Sequence, residues 1–481
     1  MDNVYYKKIK RKNKRYFENM YKDIGEDIRL DDEQINAVID ESQNALILAG
    51  AGAGKTTTIA AKVKYLIEKK GIESSQILMI SFTNKAVSEL KSRINIDFGL
   101  NVKIQTFHSL AYDIIKMIDK DLKIITDNEN ILLSIIKENI TLSIRKNFKE
   151  LFLDKKFEKT CVEFIKLIKT KNFNISDLMK LEKDLKRKKF LEFMNIIHIK
   201  YQEYLTKNLY MDYDDLIIKA IEYLDLIEGK IPYKYIFIDE YQDISIVRFN
   251  LIKKISCLTN CNLVVVGDDW QSIYSFSGSE IDLFYAFLKL KNVKILKITK
   301  TYRNSQELID IAGKFIMRNT LQIRKKLKSY KKLKYPVEII YYNDISNSYN
   351  NMLKKIRMIA KKNNLSDYAI LSRYNFDIEK LKKEKFENKV ELMTVHSSKG
   401  LGFKDVILIN VSNDIYGFPS KIENDEYRNI LIKTNQELEE RRLFYVALTR
   451  TKNKIYILVP KSKPSIFIQE IEKYKNVKIT K

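Results

Sequence analysis

The sequence predicts an α/β protein of two parallel-sheet lobes, with a helical insertion in the first. Three observations carry this. Short apolar runs alternate with segments of helical period, the pattern of strand–helix–strand units. A glycine-rich loop stands between one such run and a helical segment near the start, and a second series of runs without such a loop fills the C-terminal half. The chain, 481 residues with 45% hydrophobic content, exceeds what one core usually supports.

Residues 1–29 open with the basic run from Lys7 to Arg15, which lacks a clear apolar face and either tracks phosphate or forms a solvated segment. Residues 30–126 read as the first part of the first lobe. Leu30 to Val38 looks like a capped helix start, with Gln34 available to hydrogen-bond an adenine edge. The apolar run 45–48 then feeds Ala49, Gly50, Ala51, Gly52, Ala53, Gly54, Lys55 and Thr56, which open a helix. Backbone N–H groups of such a loop converge on a concavity that no side chain blocks, so a polyphosphate can approach. Lys55 would neutralise the β and γ phosphates and Thr56 would hold a magnesium ion. Ala49 stands where such loops usually begin with glycine, a position that shapes the turn and not the cradle.

Runs 77–81 and 102–106 precede helical segments that start at Asn84 and Phe107. Residues 127–208 turn helical and lysine-rich, which predicts an inserted helical subdomain. The first lobe resumes over 209–295. Its run 235–238 ends in Asp239 and Glu240, and this strand is expected to neighbour the phosphate loop. Asp239 can then hold magnesium through water, while Glu240 polarises the water that attacks the γ phosphate. After the run 263–266, Gln271 is placed to sense that phosphate. Residues 296–481 form the second lobe, with runs at 337–341, 369–372, 391–394, 405–409 and 454–459. One phosphate loop for two lobes points to an ATP site at the cleft between them.

A net charge of +25, from 87 Lys plus Arg against 62 Asp plus Glu, suggests a polyanionic partner, although lysine is abundant throughout the chain. Cys161, Cys257 and Cys261, with His108, His198 and His396, are too few for a disulfide framework or a four-ligand zinc site, and they fit a reducing cytoplasm. No stretch is long and apolar enough to span a bilayer, and the start lacks the apolar segment of a signal peptide. A soluble, cytoplasmic protein without a membrane partner is expected.

The order of these motifs resembles the UvrD, Rep and PcrA group of superfamily 1 DNA helicases. Within that group, Gly267 to Tyr274 looks most like the helicase IV branch. The resemblance runs from about Leu30 to Val459 and implies two RecA-like motor lobes of the P-loop NTPase class. It implies that Phe82, Thr83 and Asn84, with His108, line a single-stranded DNA path. Tyr302 would stack on adenine, and Arg303 and Arg450 would reach the γ phosphate. Thr394 and His396 would touch DNA from the second lobe. Phe82, Tyr274 and Phe276 occupy base-stacking positions, where the alternative is core packing. Arg373 looks like a backbone-contacting arginine, which a surface ion pair explains equally. His198 is read as an ordinary partly buried residue.

Several positions depart from the group. Gly402 replaces a glutamate that contacts the ribose, Thr57 an arginine that flanks adenine, and Ser277 a basic residue after the stacking aromatic. The interval from Arg303 to His396 lacks room for a large helical insertion, and only the short basic segment precedes Leu30. The resemblance implies an ATP- and Mg2+-dependent 3′ to 5′ helicase or translocase acting on single-stranded DNA and DNA junctions. The alternative is a DNA-stimulated ATPase subunit that grips or senses DNA beside a nuclease or another repair or antiphage-defence protein and unwinds poorly alone.

Overall fold

The computed structural model describes residues 3–480 apart from 122, 291, 387, 423–425 and 433–434. Strands β1 (Asn44–Ala49), β2 (Ile77–Ser81) and β3 (Lys103–Thr106) come first. A two-residue parallel ladder of β4 (Lys123–Ile124) with β5 (Tyr210–Met211) follows. Then come β6 (Tyr235–Ile238), β7 (Asn262–Gly267) and β8 (Val293–Ile298). Apart from the ladder, these form one parallel sheet in the order β3-β2-β6-β7-β1-β8. Its central strands are apolar throughout because both faces are covered. Ile47, Met79 and Val264 face one core, whereas Leu46, Leu48 and Val265 face the other.

The second sheet is also parallel. It contains β9 (Val337–Tyr342), β10 (Asp367–Ser372), β11 (Lys389–Thr394), β12 (Asp405–Leu408), β13 (Ile455–Pro460) and β14 (Val477–Thr480), in the order β11-β10-β12-β13-β9-β14. Between the halves of the first lobe, helices from Asn128–Glu138 to Leu185–Lys207 gather round a core of their own. That core also takes in Tyr427, Leu431 and Ile432 from the second half of the chain. No inserted helical domain stands between residues 304 and 395 among the described residues. No helix among them is long and apolar enough to cross a membrane.

The strand carrying Asp239 ends beside the phosphate loop, as expected, but it does not pair with the strand before that loop, because β7 lies between β6 and β1; a crossover order of this kind is invisible to local pattern. Two expectations need correction. The boundary placed at residue 295 falls inside β8, which pairs with β1. Neither β8 nor β14 reads as an apolar run, because each is an edge strand in which lysines such as Lys294, Lys297 and Lys478 interrupt the apolar residues. Finally, the basic N-terminal segment does have an apolar face. Helices Asn3–Lys12 and Lys14–Asn19 and the turn that follows dock on the first lobe through Tyr6, Phe17, Met20 and Tyr21, all buried in its core. Tyr6 donates to Asp40, and Tyr21 donates to the Thr57 carbonyl at 2.6 Å.

Candidate active site

The phosphate loop follows β1 directly and ends at Gly54, which caps the helix Lys55–Lys70 with a φ of +76°. A side chain has no room here. A Cβ on Gly52, whose φ is +68°, would lie 2.4 Å from Cβ of Arg303, and one on Gly54 would lie 2.8 Å from Nε2 of Gln34. The loop is thus a bare-backbone cradle at a helix N-terminus, suited to a polyphosphate. Gln34 is buried beside it. Its Oε1 accepts from the Asp31 N–H in a capping box, and its Nε2 donates to the Ala53 carbonyl. Ala49, Ala51 and Ala53 are buried, and Gly50 lies against Leu327.

Lys55 donates to Oε1 of Glu240 at 2.8 Å despite the intervening strand. Glu240 sits at a left-handed φ of +52° just beyond β6, which turns its carboxylate toward the loop. Burial alone would raise the pKa of Glu240, but the charges of Lys55 and Lys399 hold it well below the usual carboxylate range, at about 2. Asp239 behaves oppositely. Burial and the adjacent Glu240 charge push it up to about 7. Thr56 and Asp239 offer hard oxygen donors of the kind magnesium prefers, and a dication would relieve the strained Asp239 charge.

The segment 299–304 straddles the two lobes. Thr301 donates to the Ala51 carbonyl at 2.8 Å and the Tyr302 N–H to the Gly52 carbonyl at 3.0 Å, while Asn304 donates to the Thr449 and Thr451 carbonyls. The Tyr302 ring is half open, with its hydroxyl on Asp31 at 2.9 Å. The Arg303 guanidinium lies over Gly402, where a Cβ would come within 2.9 Å of its Nε. Gly402 therefore gives Arg303 the space that a glutamate would take. Arg450 is fully buried and points into the same seam. Its fork donates to Oε1 of Gln271 at 3.1 Å and to the Val446 and Leu401 carbonyls. Burial and the neighbouring Arg303 lower its pKa to about 9. Lys55, Glu240, Gln271, Arg303 and Arg450 all border one cavity of about 460 Å³, which also reaches Thr56, Thr57, Tyr302 and Phe82.

A second group of side chains continues across the seam. The Tyr274 hydroxyl donates to the His396 carbonyl at 3.2 Å, and Phe276, 45% exposed, packs edge-on against the His396 ring. Phe82 lies 5.2 Å from Phe107, with the Arg248 guanidinium over both rings. Thr83 caps the helix Asn84–Lys91, and both Thr83 and Asn84 are exposed. His108 packs on Tyr213. Thr394 is buried and accepts from the Ser397 N–H. Arg373 grips Glu440 through Nε and Nη2, the ion pair that was the alternative to a DNA contact, and Nη1 has no hydrogen bond among the described residues.

Residues 30–292 match the family model for the UvrD/REP helicase N-terminal domain. The chain belongs to the UvrD/Rep helicase family. Residues 379–462 match the UvrD-like helicase C-terminal domain as well. A probable DNA helicase II homolog of Mycoplasma capricolum is 32% identical, over 77% of this chain and 52% of its own length. DNA helicase IV of Escherichia coli is 26% identical, over 92% of this chain and 69% of its own length. The ATP-dependent DNA helicase Rep of Buchnera aphidicola is 31% identical, over 92% and 71%. The chain thus spans about half to seven-tenths of the length of these relatives.

Sequence reasoning missed three cations of this UvrD/Rep-type site, Lys399, Lys325 and Arg248. Lys399 pairs with Asp243 and donates to the Gln271 carbonyl at 2.8 Å, so it links the second lobe to the segment that carries Gln271. Lys325 pairs with Asp268 and Asp269, and Asp268 also accepts from the Gln271 amide. Arg248 covers the Phe82 ring from the helix Ile246–Thr259. Lys399 lies inside a motif that was visible, whereas Lys325 and Arg248 carry no local signal because their partners are distant in sequence.

Burial, with Arg373 and Lys399 nearby, holds the His396 imidazole neutral, its pKa lowered to about 3. It therefore presents a neutral ring and not a cation to the seam. The unfolded chain takes up that proton near pH 6.5 and the folded one does not, so this contribution is complete above pH 6.5 and lost as pH falls. Buried Asp243 and Asp214, both raised to about 6, act in the opposite sense, so the comparison must be with a variant. The stability advantage of the natural chain over His396→Gln is expected to shrink by about 1.4 kcal/mol per pH unit below 6.5. Urea melts of both proteins at pH 7 and pH 5 measure it, and parallel shifts would contradict a partly buried, neutral histidine.

Proposed function

We propose that this chain is an ATP-driven motor that moves 3′ to 5′ along single-stranded DNA and separates duplex ahead of it. The observation that carries the reading is the continuity of two sites across one seam. The cavity bordered by Lys55, Glu240, Arg303 and Arg450 joins the Tyr274, Phe276 and His396 cluster through Gln271 and Lys399. A change at the nucleotide is then felt where bases stack, and every base offers a π face. We divide the chain as the sequence suggests, apart from the boundary at residue 295, with 127–208 as the inserted helical subdomain, and place the protein in a reducing cytoplasm, in keeping with a chain of only three cysteines.

The chain's own groups support hydrolysis. A triphosphate in the loop draws Lys55 away from Glu240, and the freed carboxylate accepts the proton of the attacking water. Arg303 and Arg450, crowded and desolvated, gain from the phosphoryl charge that develops between them. Loss of the γ phosphate removes that gain and lets the lobes part. Tyr302 covers the base and Gln34 reads its edge. Magnesium on Thr56 and, through water, on Asp239 would neutralise the β and γ oxygens.

One observation favours a second reading, a DNA-stimulated ATPase subunit of a repair or defence assembly. Between residues 304 and 395 the described chain carries only the elements of the second sheet and their crossovers, which leaves a compact motor. The ATPase rate with and without single-stranded DNA, with Lys55→Ala as background, tests both readings beside unwinding of 3′-tailed and 5′-tailed duplexes. Stimulation with 3′-tailed unwinding supports the motor, and stimulation without strand separation supports the subunit. Absence of DNA stimulation, or stimulation by RNA alone, overturns the substrate assignment.

A further inference from the structure

A second charged concavity lies outside the seam, where the N-terminal segment docks on the first lobe. It encloses about 730 Å³ and is bordered by six cations: Lys7, Lys10, Arg11, Lys14, Lys22 and Arg29. Among the described residues only two acids, Glu18 and Asp32, border it. Asp32 is taken by Lys10, and Glu18 lies 3.9 Å from Lys14. Lys7, Arg11 and Lys22 form no ion pair among the described residues, so the concavity holds an uncompensated positive charge.

The arrangement is held rigidly. Lys7, Lys10 and Arg11 share one helix at spacings of three and four residues, which places them side by side. Lys14 opens the next helix and extends the row. Lys22 and Arg29 come from the returning chain. Buried Phe17, Leu30 and Ile35 line the concavity too, so its cations stand over a partly apolar surface that weakens screening by water. The buried Tyr6 and Tyr21 fasten both walls to the lobe.

From this juxtaposition of uncompensated cations on a docked scaffold, we propose that the concavity is an auxiliary nucleic-acid site that takes the phosphodiester backbone and reads no base. A row of cations at helical spacing suits the regular charge of a strand, and binding there releases counterions. The site is separate from the stacking cluster of Tyr274, Phe276 and His396. The inference does not rest on the motor reading, since backbone binding requires neither hydrolysis nor translocation.

The test is the salt dependence of DNA binding by fluorescence anisotropy, with a blunt duplex and a single strand as probes. The triple variant Lys7→Gln, Arg11→Gln, Lys22→Gln is compared with the natural chain and with Lys8→Gln, Lys12→Gln, Arg15→Gln. The second triple removes the same charge from exposed residues that do not border the concavity. The slope of log K against log salt is expected to fall by about 2 for the first triple, at about 0.7 to 0.9 per phosphate contact, and to change little for the second. Basal ATPase and melting temperature should match the natural chain in both. An unchanged slope in the first triple, or an equal fall in both triples, overturns the proposal. A single variant, Arg11→Gln, gives the same reading with a fall of about 0.8 should the triple fold poorly. Failure of DNA-stimulated ATPase with the slope change intact would count against the motor alone.

Discussion

Arg450→Ala is expected to lower kcat for DNA-stimulated ATP hydrolysis by about 10³- to 10⁵-fold, or about 4 to 7 kcal/mol of transition-state stabilisation. The reason lies in its position. Arg450 leaves the C-terminal end of the helix Gln436–Leu448 in the second lobe, is fully buried, and reaches Gln271 across the seam at 3.1 Å. With Arg303 it brings two guanidiniums to the cavity that Lys55 also borders. Arg450→Lys keeps a charge but loses the planar fork that serves Gln271 and two main-chain carbonyls together, so most of the loss should remain. Because Arg450 also ties down backbone, melting of each variant without nucleotide separates a kinetic loss from unfolding. A folded Arg450→Ala protein with kcat within tenfold of the natural chain would rule out its proposed role.

The second large effect is expected in stability. Lys325 is nearly inaccessible, pairs with Asp268 and with Asp269 at 2.6 Å, and lies 4.5 Å from the centre of the Trp270 ring. Both carboxylates are fully buried. Removing the amine leaves two acids in apolar surroundings, a class of change that destabilises by about 3 to 5 kcal/mol. Lys325→Ala should therefore melt about 6 to 20 °C below the natural chain. The same change releases Asp268, which orients the Gln271 amide, so kcat should fall more than KM rises. Differential scanning calorimetry with steady-state kinetics measures both. A melting temperature within 2 °C of the natural value, roughly the effect of 1 kcal/mol or less, would show that the pair contributes little.

Much of the site was legible because its chemistry is local. The loop from Ala49 to Thr56 declares itself by composition, since only bare backbone at a helix N-terminus can wrap a polyphosphate. Its alternating glycines are each hemmed in by a neighbour. The carboxylates at 239 and 240 announce a strand end in the same way. The strands with continuous apolar runs were readable for a related reason, as both of their faces are buried. Edge strands β8 and β14 were not, because one wet face admits lysine and erases the run. The apolar face of the N-terminal helices was masked by the basic residues between its aromatics, and only docking shows which side is dry.

What the chain determined by itself is therefore the inventory: two parallel sheets, one phosphate cradle, the acids, and the arginines that answer them. Tertiary structure decided the pairings. It set β7 between the cradle strand and the acid strand, and still brought Lys55 to Glu240. It buried Trp270 of the first lobe in the core of the second, against Tyr445. It joined Lys325 to acids more than fifty residues away and set a row of lysines against a returning wall. Local pattern reports whether a residue is wet or dry, and periodicity reports the element it sits in. Which two buried charges meet depends on the order in which strands cross, and no window of sequence contains that.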